Sequence, residues 1–169
     1  MLLRRKTARM KRQKALFDFA TAKYVGVLCS PYNETDTMQI KNFLHYLSQK
    51  GVKYSVIGYF DGKEIPENFL YWKGMDFITR QDLNFFFMPQ GTVVDTFINE
   101  PFDMLVNCNL ARNFPTEYIS QLSMAKCKIG IKREEESYYD LTIDIQKNRT
   151  IEFFLKNLDI YLSHLRYSQ

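Results

Sequence analysis

The chain of 169 residues contains 23 lysines and arginines against 19 aspartates and glutamates, so its net charge is +4. A chain of this length can bury roughly 70% of its unfolded surface in one core, and neither a second domain nor a disulfide staple is required. No apolar stretch approaches the roughly 18 residues of a transmembrane helix, and the first residues lack the apolar core of a secretory signal. We therefore expect a protein that neither spans a membrane nor is exported.

Most of the positive charge lies at the start of the chain. The first fourteen residues contain seven lysines and arginines and no acid, whereas the remaining 155 residues have a net charge of −3. A compact cationic segment beside a mildly acidic body typically binds phosphate, either on nucleic acid or on a membrane surface. The predicted nucleic-acid-binding residues are Arg4, Arg5, Lys6, Arg9, Lys11, Arg12 and Lys14.

The apolar residues of this arm help to choose between its partners. Leu3, Met10 and Phe17 recur every seven residues and would form only a thin stripe on a helix. Such a stripe favours contact with RNA or the ribosome over insertion into lipid. Two alternatives stay open: a solvated arm that only improves solubility, and an organellar transit peptide, which the lack of serine disfavours.

Beyond the arm, strand and helix signals alternate. Short runs rich in β-forming residues predict six strands, and apolar residues at helical spacing predict four helices. The strands are predicted at 23–29, 52–60, 75–79, 102–107, 127–132 and 139–145, and the helices at 35–50, 92–100, 115–126 and 150–166. This alternation implies parallel pairing and right-handed crossovers. We predict a basic arm or helix over residues 1–20, followed over 21–169 by one three-layer Rossmann-like α/β domain with a mostly parallel sheet of five or six strands.

The residues that most often carry chemistry give little sign of an active site. Cys29, Cys108 and Cys127 lie in or beside predicted strands without a CxxC pair, as structural thiols of a reduced cytosolic protein do. His45 and His164 lie inside predicted helices at no metal-ligand spacing, and no nucleophile elbow is present. We therefore predict no catalytic residue, metal or cofactor, and a cytoplasmic location.

In a doubly wound sheet, ligands bind beyond the carboxyl ends of the strands. The corresponding loops are 30–33, 61–64, 79–82, 107–113 and 132–135. The first loop lacks the GxGxxG and GxxxxGK[ST] patterns, which argues against classical dinucleotide or nucleotide-triphosphate binding. Polar side chains in these loops are suited to a sugar or a phosphate, or alternatively to capping the following helices. The candidate ligand-binding residues are Asn33, Arg80, Asn107, Asn109 and Arg112.

Three consecutive aromatic residues, Phe85, Phe86 and Phe87, stand between the third predicted strand and the second predicted helix. They cannot all point inward if the segment is extended, so at least one is expected to face outward. An outward phenylalanine could stack on a base or dock a protein partner. The alternative is an aromatic-rich core covered by an irregular loop.

Four segments resemble those of an uncharacterised family of small bacterial proteins, a domain of unknown function. They are residues 62–74, 77–84, 97–103 and 114–120. The resemblance extends over nearly the whole chain, including the basic start, and implies no activity. The stretch from 101–107 through 128–130 is also similar, more loosely, to the second half of Rossmann-like sugar-transferring enzymes of the heptosyltransferase type.

These observations lead to three hypotheses about function. The first is a non-enzymatic cytosolic domain that associates with RNA or a ribonucleoprotein through its basic arm. The second is a small-ligand-binding or degenerate glycosyltransferase-like Rossmann domain that uses the loops at the carboxyl ends of the strands. The third is a protein-assembly module that docks through Phe85–Phe87.

Overall fold

The computed structural model describes residues 12–31, 33–69, 72, 74–134 and 138–167. The strands in this part of the chain are Tyr24–Cys29 (β1), Lys53–Tyr59 (β2), Met75–Ile78 (β3), Met104–Asn107 (β4), Cys127–Ile131 (β5) and Leu141–Ile143 (β6). The helices are Glu34–Gln49 (α1), Thr92–Asn99 (α2), Phe114–Leu122 (α3) and Ile151–Tyr167 (α4). None of the described helices combines the length and the hydropathy that a membrane span requires.

The six strands form one parallel sheet in the order β3-β2-β1-β4-β5-β6. This is the Rossmann strand order, so the predicted fold class is confirmed. From β1 the chain adds β2 and β3 on one side of the sheet, and then β4, β5 and β6 on the other side, so the strand order reverses between β1 and β4. The carboxyl ends of these two strands therefore form the switch point, where doubly wound folds commonly bind ligands.

Helices cover both faces of the sheet. On one face, α1 and α4 pack over a core that includes Val27, Ile40 and Phe154. On the other face, α2 and α3 pack over a smaller core that includes Leu28 and Ile119. Burial on both faces explains why the strands are nearly continuous apolar runs. Each fully buried aliphatic or aromatic side chain contributes about 1.5–3 kcal/mol to this arrangement.

The crossover from β5 to β6 departs from the usual strand-helix-strand unit, because its described residues form no helix. Tyr139 covers β5 in place of a helix, and its ring lies directly over Gly130. A Cβ atom built on Gly130 would come within 2.5 Å of Cζ of Tyr139. The absence of a side chain at Gly130 is therefore what lets the ring approach the sheet.

Two elements are markedly shorter than predicted. Helix α3 ends at Leu122 and not at 126, because Ser123 adopts φ −56 and ψ 142 and its hydroxyl accepts a hydrogen bond from the backbone of Ala125. Strand β6 covers three residues and not seven. It is followed by a turn in which Asp144 Oδ1 accepts a hydrogen bond from the backbone N–H of Gln146 at 2.9 Å.

The end of the arm packs on the body. Residues 12–18 form neither helix nor strand. The backbone N–H of Ala15 donates to the carbonyl of Lys126 at 3.2 Å. Phe19, which the sequence analysis assigned to the arm, is buried in the core with its ring edge-on to Phe43. Within the described part of the chain, packing against the body therefore extends back to Arg12.

Candidate functional site

Arg12 fixes the end of the arm to the body. Its Nη2 donates to Asp140 Oδ1 at 2.6 Å and its Nη1 donates to the carbonyl of Ala125 at 2.9 Å. Only 10% of the Arg12 side chain is exposed, against 72% for Lys14, whose Nζ lies 3.0 Å from the same Asp140 oxygen. Arg12 is therefore a structural residue, whereas the ammonium of Lys14 stays in contact with solvent.

Asp140 is held ionised by its donors. Burial alone would raise the pKa of this carboxyl, but the hydrogen bonds from Arg12, the backbone N–H of Lys128 and Lys14 lower it below its usual range. A carboxylate that accepts several charged or backbone donors is shared among them. The negative charge of Asp140 is thus neutralised by Arg12 and Lys14 of the arm.

The structure describes two of the seven residues predicted to bind nucleic acid, Arg12 and Lys14. The other five, Arg4, Arg5, Lys6, Arg9 and Lys11, lie outside the described residues. The role of the seven in nucleic-acid binding stays a prediction.

The positive charge of the arm continues along the amino ends of the strands. The lysines concerned are Lys14, Lys23, Lys50, Lys53 and Lys126, which we call the basic edge. Strand pairing fixes their order: Tyr24 of β1 pairs with Lys53 of β2, and Asp103 N–H donates to the Tyr24 carbonyl. Cys127 N–H donates in turn to the Asp103 carbonyl, which brings the start of β5 into the same row.

The acid within this row is buried and neutralised. Asp103 accepts hydrogen bonds from the backbone N–H groups of Lys23 and Tyr24 and from Lys126 Nζ, at 2.9 to 3.2 Å. Burial would raise its pKa, but these donors lower it. The exposed charge of the row is therefore positive, and Glu100, at the end of α2, limits it on one side.

At the opposite edge of the sheet, the predicted ligand loop after β4 is folded inward. Asn107 Nδ2 donates to the Tyr139 hydroxyl at 2.8 Å, and Asn109 Nδ2 donates to Asn107 Oδ1 at 2.7 Å and to Thr116 Oγ1 at 3.0 Å. Both asparagines are buried. Asn109 Oδ1, also buried, accepts no hydrogen bond from any described residue.

Two polar residues at this edge cap helices. Asn33 Oδ1 accepts a hydrogen bond from the backbone N–H of Asp36 and caps α1. Asn113 Oδ1 accepts one from Thr116 and caps α3, while its Nδ2 donates to Ser30 Oγ at 2.8 Å across the switch point. Each cap contributes about 1 kcal/mol. The capping alternative left open for the loop at 107–113 thus describes what Asn113 does.

The two candidate arginines are engaged in ion pairs. Arg80 Nε lies 2.6 Å from Asp61 Oδ1, and Arg112 Nε lies 3.0 Å from Glu117 Oε2. The first pair is exposed, so it contributes little to stability. Arg80 follows β3, which is separated from β1 by β2. Arg80 therefore stands apart from the asparagines at the switch point, and the five candidates do not form one cluster.

A cleft that the sequence analysis did not identify lies beyond the carboxyl ends of β5 and β6. Its volume is about 430 Å³, and it is lined by Leu110, Ile131, Lys132, Arg133, Glu134, Ile145, Gln146 and Arg149. The sequence predicted the loop at 132–135 at the carboxyl ends of the strands, but it did not predict Arg133 or Arg149 as ligand-binding residues. They follow different strands, so only the pairing of β5 with β6 brings them to one cleft.

Lys128 is the buried cation with the most perturbed pKa. Burial, reinforced by the nearby Arg12 charge, lowers its pKa to about 7. Its Nζ donates to the carbonyl of Gln121 at 2.7 Å, near the end of α3. A cation at this position interacts favourably with the last carbonyls of the helix, which gives Lys128 a structural role.

The three cysteines are free and buried. Burial raises the pKa of Cys29 to about 12 and that of Cys127 to about 11, and it also raises the pKa of Cys108. Thiols of this kind are unreactive. Within the described ranges, no group of three or more His, Cys, Asp or Glu side chains is placed to hold a metal ion.

All three residues of the Phe85–Phe87 segment face solvent, with exposures of 91%, 68% and 69%. The turn that displays them is well defined. Asn84 Oδ1 accepts hydrogen bonds from the backbone N–H groups of Phe86 and Met88, and Phe87 has a φ of 58. A phenylalanine in the left-handed region is uncommon and costs backbone strain.

Fold and surface together define a Rossmann-like α/β domain with a basic edge at the amino ends of its strands and a cationic cleft at their carboxyl ends. Residues 2–165 match the model of DUF6913, a family of unknown function, and the chain belongs to that family. The predicted resemblance to an uncharacterised family is thereby confirmed. No curated protein matches the chain.

Proposed function

We propose that the protein binds RNA, alone or within a ribonucleoprotein such as the ribosome, through the arm and the basic edge. The observation that carries the proposal is the position of Arg12. Its bonds to Asp140 and Ala125 attach the arm at the amino ends of β5 and β6, where Lys14 and Lys126 continue the positive charge. The described end of the arm and the basic edge together form one cationic surface on a body whose net charge is −3.

The physical basis is the neutralisation of phosphates. Each lysine or arginine that meets a phosphate releases a condensed counterion, so binding is strong at low salt and weak at high salt. Asp103 and Asp140 do not oppose it, because each is only 12% exposed and is held by cationic side chains. No base-specific contact is implied, and we expect little sequence preference.

The structure indicates where the arm should be cut. Deletion of residues 1–14 would remove Arg12 and with it a buried ion pair, so that loss of binding would be confounded with loss of stability. Deletion of residues 1–11 removes five of the seven cations and keeps both Arg12 and Lys14. We expect this variant to fold and to bind a labelled single-stranded RNA about a hundredfold more weakly at about 50 mM salt.

Fluorescence anisotropy over a salt series measures the effect. Loss of five contacts should flatten the slope of log affinity against log salt by about 3.5, at roughly 0.7 per contact on a single strand. Lys23→Gln and Lys53→Gln at the basic edge should each flatten it by about 0.7. Lys156→Gln, an exposed lysine in the middle of α4, is the matched control and should change nothing. Equal binding with and without residues 1–11 would refute a role of the arm, and no binding by either form would refute RNA association.

A cytosolic location and the absence of catalysis are parts of the same proposal. Three free, buried thiols support a reducing compartment. The basic edge offers lysine ammonium groups but no nucleophile paired with a base. We therefore assign it a role in binding and no reaction.

We propose protein assembly as a second candidate function, with a second copy of the chain as the partner. The exposed Phe85–Phe87 turn favours it, together with a groove of about 560 Å³ between α1 and α4 whose apolar lining includes Met38, Phe43 and Leu155. A phenylalanine ring of one copy would fill part of that groove in another. Large exposed apolar groups in a fixed turn are typical of such contacts.

Sedimentation at increasing protein concentration tests self-assembly. The wild type should form oligomers at about 100 μM or below, and Phe85→Ser together with Phe86→Ser should keep the protein monomeric. Tyr161→Ser removes an exposed aromatic side chain from α4 and serves as the control. A wild-type protein that stays monomeric over this range would contradict the candidate.

A further inference from the structure

We propose that the cleft beyond β5 and β6 is a binding site for a phosphorylated small molecule of the nucleoside- or sugar-monophosphate class. The cleft and the basic edge lie at opposite ends of the same strands, so this site is separate from the proposed RNA-binding surface. Its described lining also contains none of the residues that the sequence suggested for a ligand, Asn33, Arg80, Asn107, Asn109 and Arg112.

The charges of the cleft suit a phosphate. Lys132, Arg133 and Arg149 converge on it from the loops after β5 and β6, against Glu134, the one acid in the part of the lining that the structure describes. Lys132 Nζ lies 3.6 Å from Asp144, but both side chains are about half exposed or more, so this ion pair is weak. Among the described residues, Arg149 forms no ion pair. Two guanidinium groups can grip one phosphate with bidentate hydrogen bonds.

The position of Arg133 is fixed by the β4 loop. Its Nη2 donates to the backbone carbonyl of Asn109 at 3.1 Å, which leaves its other N–H groups for an anion. This contact also connects the cleft to the buried asparagines at the switch point.

The remaining lining suits the organic part of such a ligand. Ile131 and Ile145 are buried and form an apolar floor with Leu110, on which a sugar or base ring can rest. Glu134 would repel inorganic phosphate, yet a carboxylate is a common acceptor for sugar hydroxyl groups. Cations, an apolar floor and a carboxylate together favour a phosphate ester over a free phosphate ion.

Isothermal titration of the full-length protein with adenosine monophosphate, adenosine and inorganic phosphate tests the site. We expect the monophosphate to bind with a Kd of about 0.1 mM and the other two to bind at least tenfold more weakly. Arg149→Gln should weaken binding of the monophosphate about tenfold. Lys147→Gln, on the same loop but outside the lining, is the matched control and should leave the affinity unchanged.

Three results with the full-length protein would overturn the proposal. They are absence of binding by the monophosphate, equal binding of adenosine and the monophosphate, and equal losses in the Arg149→Gln and Lys147→Gln variants. Deletion of residues 1–11 should leave binding of the monophosphate unchanged, and a loss there would move the site to the arm and also refute the cleft. Failure at the cleft leaves RNA binding by the arm intact, so the two proposals fail separately.

Discussion

Substitution of Arg12 by alanine is expected to lower the free energy of unfolding by about 3–5 kcal/mol. The Arg12 side chain is 90% buried and bridges Asp140 and the carbonyl of Ala125. Its removal leaves the buried Asp140 carboxylate with only Lys14 and the Lys128 N–H as donors. Removal of one partner of a buried ion pair costs far more than the intact pair contributes. Urea denaturation followed by circular dichroism measures the loss.

Lys14→Ala is the matched control for this prediction. Lys14 contacts the same Asp140 oxygen, but 72% of its side chain is exposed, so its removal should cost less than about 1 kcal/mol. If Arg12→Ala were as mild as Lys14→Ala, the arm would be only loosely attached. Deletion of residues 1–14 would then test RNA binding as well as deletion of residues 1–11.

The same ion pair predicts a pH dependence. Because the folded pKa of Asp140 is lowered, its contribution to stability is complete above the unfolded value of about 3.9 and is lost as the pH falls towards the folded pKa. Below about pH 6, where Lys128 with its pKa of about 7 is protonated, the stability difference between wild type and Arg12→Ala should be constant down to about pH 5 and shrink below pH 4. A difference that grows on acidification would contradict this assignment.

The second large effect is expected at Gly130. An alanine Cβ there would meet Cζ and Cδ2 of Tyr139 at 2.5 and 2.7 Å, so the ring must move off β5. Overpacking of this kind costs about 1–3 kcal/mol, and displacement of the Tyr139 hydroxyl also removes its hydrogen bond from Asn107. We expect Gly130→Ala to lower the free energy of unfolding by about 2–4 kcal/mol in total.

Gly62→Ala is the control for the glycine substitution. The nearest atom to a Cβ at Gly62 is the Glu64 carbonyl oxygen at 3.8 Å, which is ordinary contact. Its stability should change by less than about 1 kcal/mol in either direction. Near-ultraviolet circular dichroism of Gly130→Ala should show altered tyrosine signals, whereas an unchanged spectrum with unchanged stability would mean that Tyr139 does not pack as described.

The two edges of the sheet divide the functional possibilities of this protein. The amino ends of the strands carry the arm and the lysines that suit a polyanion. The carboxyl ends carry the loop after β4, whose polar side chains turn inward and cap α3. They also carry the cationic cleft beyond β5 and β6. RNA binding and small-molecule binding can therefore be disrupted independently, by deletion of residues 1–11 and by Arg149→Gln.

The sequence by itself determined the elements and the fold class. All six strands and four helices were predicted within a few residues, apart from the longer errors at the end of α3 and at the two ends of β6. Apolar runs and helical spacing indicate which residues of a single strand or helix are buried. The alternation of strands and helices is compatible with few topologies other than a parallel sheet. The basic arm was also predicted from the sequence, because a cluster of charged residues can be recognised without knowledge of the fold.

Only the tertiary structure decided which residues meet. Arg12 and Asp140 are 128 positions apart, and nothing in the local sequence of either residue indicates the other. Arg133 and Arg149 come together through the pairing of β5 with β6, and Asn107 turns inward because Gly130 lets Tyr139 reach it. Such contacts depend on strand order and close packing, which periodicity does not encode. The arm was therefore found from the sequence, but its attachment, the basic edge and the cleft were not.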